Sequence, residues 1–274
     1  MTLENSPYFA KTDTTNPEPD VLVSGRAIVT PLYAVIPESV IYDNTRSNLP
    51  LWEKTDCWVL SSPAIGYSAS FGWYLMFLHQ DGGCEDPEPE EGVQSFIFVL
   101  EGDIKLRAEE EIHELSSGGF AYMPPNFSWS VMNSDEELAK LIWVRKAYEP
   151  IDGHEPWFVV GNEREVTQME SSATPDKWFC HLLPDDIAYD MAMNIISFRP
   201  GMAIQFAETH VMEHGLYMLQ GQGVYLLNRE WYEVHAGDYI WMRAYCPQAF
   251  YAGGAETTRY LLYKNINRQL LLDE

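Results

Sequence analysis

Residues 201–221 read G-M-A-I-Q-F-A-E-T-H-V-M-E-H-G-L-Y-M-L-Q-G. Glu208, His210 and His214 crowd together here between two glycines, and both side-chain types bind metals. Whether this stretch is helix or strand decides the fold. Residues 210–214, H-V-M-E-H, match the H-x-x-E-H pattern of inverted zinc peptidases, which needs a helix so that i and i+4 share a face. The flanks, F-A-E-T-H before and G-L-Y-M-L-Q-G-Q-G-V-Y-L-L after, are Gly-broken and strand-like instead. On a strand, residues 208 and 210 face the same side. Six residues of straight strand span about 20 Å, so a turn through Val211–Glu213 must bring His214 back to the same ion.

The rest of the chain has the same texture. Short apolar runs such as A-I-V-T-P-L-Y-A-V-I, C-W-V-L and W-Y-L-M-F-L-H are separated by Gly, Pro, Asn and Asp. This predicts an all-β protein with few short helices. The best helical candidates are P-D-K-W-F-C-H-L-L-P and the C-terminal R-Q-L-L-L-D-E. The chain also repeats itself. F-I-F-V-L-E-G-D-I-K-L around Gly102 matches L-Y-M-L-Q-G-Q-G-V-Y-L around Gly221, an offset of 119. G-G-F-A-Y-M-P-P at Gly119 matches A-G-D-Y-I-W-M-R at Gly237, and I-W-V-R-K ending at Lys146 matches Y-L-L-Y-K ending at Lys264, both offset by 118. A unit of roughly 120 residues is duplicated. The expected organisation is an N-terminal arm over 1–25, a first barrel over 26–150, and a linker with a second barrel over 151–274.

Charge narrows the function. The 41 acidic residues against 17 basic ones give a formal charge of -24, which repels phosphate backbones and anionic membranes and argues against nucleic-acid or membrane partners. Four cysteines without a C-x-x-C pair read as reduced thiols. No apolar run reaches the ~20 residues of a membrane-spanning helix, and the first residues lack a secretory pattern, so the expected location is cytoplasmic. The acidic segment Asp81–Gly92 lacks the spacing of a calcium loop and reads as a solvated loop.

Each repeat resembles a cupin, whose two motifs carry metal ligands at fixed spacing. In the second repeat Gly201 opens the first motif, and Glu208, His210 and His214 take its ligand positions before Gly221 closes it. Gly237 opens the second motif, and Gln248 falls where its histidine stands. The resemblance thus implies two tandem cupin (double-stranded β-helix, or jelly-roll) barrels and a metal held by Glu208, His210, His214 and Gln248. Such a mixed N/O set favours Mn2+ or Fe2+ over structural zinc. Counted the same way, the first repeat offers Pro89, Glu91, Ser95 and Ser130, which hold a metal poorly. Its role is read as structural.

The chain more closely resembles the (S)-ureidoglycine aminohydrolases, from R-A-I-V-T-P at Arg26 to Y-K-N-I-N-R at Arg268. E-T-H-V-M-E-H-G at 208–215, L-x-G-Q-G-V-Y at 219–225 and P-W-F-V-V-G-N at 156–162 carry the match. The resemblance implies a manganese enzyme that releases ammonia from ureidoglycine. Tyr225, Gln248, Tyr260 and Lys264 are then substrate contacts, with Lys264 on the substrate carboxylate and Glu208 a candidate proton acceptor. It lacks the targeting segment of plant members, which fits a bacterial enzyme. The implied partner is a small ureide, and a homo-oligomer is expected. Two alternatives stand beside this: a cupin Fe(II) dioxygenase or isomerase acting on a small carboxylic acid, and a non-catalytic bicupin that binds a metal or ligand.

Overall fold

The computed structural model describes residues 27–43, 46–64, 69–204 and 206–266. In chain order, β1 (Ile28–Val29) and β2 (Tyr33–Ile36) lead into α1 (Glu38–Asp43). Next come β3 (Glu53–Ser61), β4 (Gly72–Cys84), β5 (Val93–Glu101), β6 (Ile104–Ala108), β7 (Glu111–Leu115), β8 (Gly119–Met123), β9 (Trp129–Asn133), β10 (Ala139–Ala147) and β11 (Val159–Asn162). The chain continues through β12 (Gln168–Glu170), β13 (Lys177–His181), β14 (Met191–Phe198), β15 (His214–Gln220) and β16 (Gln222–Leu227). It finishes with β17 (Glu230–His235), β18 (Tyr239–Met242), β19 (Gln248–Gly253) and β20 (Thr258–Asn265). The all-β expectation is met.

Two units divide the chain. The first holds residues 46–64 and 70–166. Its strands run β11-β8-β5-β10-β4-β9-β6-β7, with β3 also on β4. The long β4 pairs with β10 in its first half and with β9 over Gly82–Cys84, so one strand serves both faces of the barrel. The inward residues Met76, Leu78, Ile97, Val99, Leu106, Val131 and Leu141 form a buried core with Tyr74, Trp129 and Trp143. Each fully buried aliphatic side chain contributes about 1.5–3 kcal/mol of transfer free energy.

The second unit holds residues 27–43, 69, 167–204 and 206–266. Its larger sheet runs β1-β2-β18-β15-β20-β14-β13-β12, and its smaller one β17-β16-β19. Bridges Ala203–Tyr251 and Glu208–Gln248 lay the segment after β14 along β19. β1 and β2 were expected in the first barrel. They belong instead to the second unit, because β2 pairs with β18 from Tyr239–Ile36 to Met242–Tyr33.

The repeat is visible in both units at one offset. Gly102 and Gly221 sit between equivalent strands at φ +77° and +76°, and a Cβ on either would meet the backbone that enters β10 (Ala139) or β20 (Thr258) at 2.9 Å. Glycine is required there twice over, by its left-handed backbone and by the close approach. The same bulge recurs: Lys140 pairs Glu101 and then Leu141 pairs Val99, as Arg259 pairs Gln220 and then Tyr260 pairs Met218. Gly118 N–H donates to Val99 O as Gly237 N–H donates to Met218 O. The offset is therefore 119 throughout. Gly237 corresponds to Gly118, and Lys264 corresponds to Arg145 rather than Lys146.

Two helical expectations are settled differently. K-W-F-C-H is strand β13, paired to β14 from Lys177–Phe198 to His181–Asn194. The C-terminal R-Q-L-L-L-D-E lies outside the described residues, as do the arm over 1–25 and Arg268. Among the described residues no helix is long and apolar enough to cross a membrane.

Candidate active site

The opening stretch folds as strand, turn and strand. Glu208 and Gln248 are backbone neighbours, each N–H donating to the other's carbonyl at 2.9 Å. This puts the first carboxylate beside the amide from β19. The turn after His210 is pinned where Tyr245 N–H donates to His210 O (2.6 Å) and Asn265 N–H to Glu213 O (3.0 Å). His214 then opens β15, opposite Met242 on one side and Lys264 on the other. Glu213, the residue a peptidase helix would use as base, is buried and accepts from Trp241 Nε1 at 2.6 Å. The strand reading of H-V-M-E-H holds.

These side chains line a cavity of about 300 Å3 in the second unit. Glu208, His210, His214, Tyr225, Gln248, Tyr260 and Lys264 all face it. Tyr260 and Lys264 do so because they lie four apart on β20 with Leu262 between them on the same face. Ile196, Phe179 and Met212 add apolar wall, and Phe206 stands exposed among the lining residues.

The polar contacts inside are specific. His210 Nε2 lies 3.2 Å from Glu208 Oε1. The rings of His210 and His214 are 5.5 Å apart at 70°. Tyr225 Oη donates to Gln248 Oε1 at 2.9 Å, and the rings of Tyr225 and Tyr260 lie 6.4 Å apart. Burial is the main cause that raises both phenols, so they stay neutral hydroxyls. Burial, with His210 and Lys264 nearby, pushes His214 down to about 3. It is a neutral imidazole at neutral pH, the form a metal ligand requires. Burial also lowers Lys264, which the Glu208 carboxylate partly offsets.

The donor set suits a divalent cation. It offers one carboxylate, two imidazoles and an amide oxygen whose second lone pair is left over after Tyr225 takes the first. Among the described residues no three His, Cys, Asp or Glu side chains are drawn together as a formed metal cluster. Glu208 is turned to His210 instead, and the two imidazoles stand edge to face.

The structure also brings in Lys177, Phe179 and Ile196, which were not anticipated. The signal for Lys177 was present: Lys177, Phe179 and His181 alternate with Trp178 and Cys180, the period of a strand. Of the remaining histidines, His79 pairs with Asp56 (3.0 Å) and His181 Nδ1 with Asn194 Oδ1 (2.7 Å), both ordinary polar contacts.

Comparison with known proteins gives this geometry a family. Residues 194–263 match the cupin domain model. The chain is 39% identical to the (S)-ureidoglycine aminohydrolase of Escherichia coli K12 over 81% of its length and 85% of the relative's. This chain belongs to the (S)-ureidoglycine aminohydrolase family. Rice has another relative, a probable (S)-ureidoglycine aminohydrolase, 39% identical over 87% of this chain and 74% of that protein. A solved Pseudomonas aeruginosa protein described as glyoxylate-induced superposes on this family member with a TM-score of 0.86 at 39% identity. The match covers 96% of this chain and 97% of that one.

Proposed function

We propose that the protein hydrolyses (S)-2-ureidoglycine to (S)-ureidoglycolate and ammonia, a step of purine and allantoin degradation. The observation that carries the reading is one cavity lined by Glu208, His210, His214, Gln248 and a half-buried lysine, Lys264, in a chain of this family. Glu208, His210, His214 and Gln248 are the residues that would hold a divalent metal, by our reading Mn2+. Bound there, such an ion stabilises charge that develops on the departing nitrogen and the incoming oxygen.

The balance is simple. The carbon–nitrogen bond to the amine breaks and a carbon–oxygen bond from water forms; one proton of that water passes to the departing nitrogen, which leaves as ammonia, and the other stays on oxygen as the hydroxyl of ureidoglycolate. Lys264 supplies the cation that receives the substrate carboxylate in an otherwise acidic protein. Tyr260 and Tyr225 offer neutral hydroxyls to the ureido group, and Tyr225 also fixes the amide of Gln248 through their 2.9 Å hydrogen bond. Glu208, beside His210, is the carboxylate nearest to accept a proton.

The test is ammonia release from ureidoglycine generated in situ from allantoate, with dissolved oxygen followed in the same cell. Ammonia with steady oxygen is the expected result. Oxygen uptake during turnover would replace this reading with an iron dioxygenase. Metal binding without turnover would leave a binding protein.

A further inference from the structure

The cavity carries two lysines against a single acidic side chain, Glu208. Lys264 has a role in the reading above, but Lys177 has none. Lys177 is only 9% exposed. Its ammonium lies over the rings of Phe179 (4.9 Å) and Phe198 (5.5 Å). Among the described residues that ammonium makes no hydrogen bond or ion pair. The side chain is nearly buried, its ammonium has three donors to satisfy, and aromatic faces satisfy none of them as an oxygen would. The side chain lines the cavity, so the cavity is where an acceptor can arrive.

Its placement relative to Lys264 is informative. Lys177 pairs with Phe198 on β14, whereas Lys264 pairs with Ala192, six residues away along the same strand. Both side chains nevertheless line the same cavity as the Glu208 carboxylate. The two cations therefore approach the reacting region from different ends of one wall. A ligand that satisfies both has oxygen acceptors at two ends. Ureidoglycine has a carboxylate at one end and a ureido carbonyl at the other.

We propose that Lys177 is a substrate-binding residue that receives the ureido carbonyl oxygen while Lys264 receives the carboxylate. This rests on the substrate reading above, and its test does not depend on turnover. N-carbamoylglycine has the carboxylate and the ureido group but no leaving amine, and butyrate has a carboxylate on an apolar tail. Binding of both to the Mn2+-loaded protein is measured by calorimetry for wild type, Lys177→Met and Lys264→Met. A hydrogen bond to a charged group predicts that Lys177→Met weakens N-carbamoylglycine by about ten-fold or more and leaves butyrate within about two-fold. Lys264→Met weakens both ligands. Lys177→Gln, which keeps a polar donor of similar reach, falls between and guards against a folding defect in the Met variant. Unchanged affinity for N-carbamoylglycine in both Lys177 variants overturns the proposal, as does equal weakening of the two ligands. Failure of the substrate reading shows separately, as a wild-type protein that releases no ammonia from ureidoglycine.

Discussion

The two barrels solve the same interior in opposite ways. Where the second has His214 opposite Lys264, the first has Ser95 opposite Arg145. Where the second has Gln248, the first has Trp129 and not Ser130 as expected, since Ala108 pairs Trp129 as Leu227 pairs Gln248, and the cavity-lining Leu262 is matched by Trp143. In the first barrel Arg145 is ion-paired to the buried Glu88 and to Glu90 (3.3 Å). Trp143 Nε1 donates to Ser95 Oγ (3.0 Å), and Ser95 Oγ donates on to Glu88 (3.4 Å). Trp52, Tyr74 and Trp129 pack around Trp143 at 5.3, 5.0 and 6.4 Å. Aromatic rings and an internal ion pair thus occupy the place that the second barrel leaves as a cavity lined by Glu208, His210, His214 and Gln248. One scaffold carries either a closed polar network or an open site, and the choice rests on a few inward positions.

The largest effect that would break this contrast lies in the second barrel. His214→Ala removes a neutral imidazole from the donor set. It should lower metal content measured by atomic absorption and reduce ammonia release by roughly 10³-fold, the several kcal/mol a catalytic ion supplies. Wild-type rates with this variant would mean that the set is wrongly drawn. Next is the first barrel. Arg145→Met leaves Glu88 buried without its guanidinium and should cost about 3 kcal/mol in chemical denaturation, the usual penalty for an orphaned buried charge. Turnover per folded molecule should stay near wild type, and Glu88→Gln in the same chain should recover much of the loss. A variant that stays stable but inactive would give the first barrel a catalytic part.

The smallest effect concerns acid. The folded His214 is held down to about 3 by burial first, then by His210 and Lys264. A group lowered in the fold contributes stability that is full above its ordinary value near 6.5 and lost as pH falls toward the folded value. The metal-free protein should lose about 1 kcal/mol between pH 6.5 and 5.5 from this group. The loss should be absent in His214→Asn, as read by denaturant midpoints at each pH.

Much of this contrast was legible in the residues. Alternating apolar runs and paired glycines announced strands, and Gly102 and Gly221 fixed the repeat because only glycine fits that turn. Spacing and resemblance pointed to Glu208, His210, His214 and Gln248, which line one cavity. Arg145 was missed because I-W-V-R-K was aligned on its lysine. A slip of one residue in a strand turns every side chain to the other face. Glu88 was hidden in an acidic segment that read as solvated, since sequence does not show which of several carboxylates a distant arginine will bury. Lys177 was lost to a helical reading of a five-residue strand. The attachment of β2 to β18 joins residues about two hundred apart, a pairing that no local pattern encodes.

The central claim is that the chemistry belongs to a metal held in the second barrel. The most direct measurement is ammonia release from ureidoglycine by protein stripped with a chelator, then titrated with Mn2+. The account predicts that the stripped protein is inactive and that activity returns with about one equivalent of metal per chain, as a single four-donor site requires. Full activity in the stripped protein would contradict it.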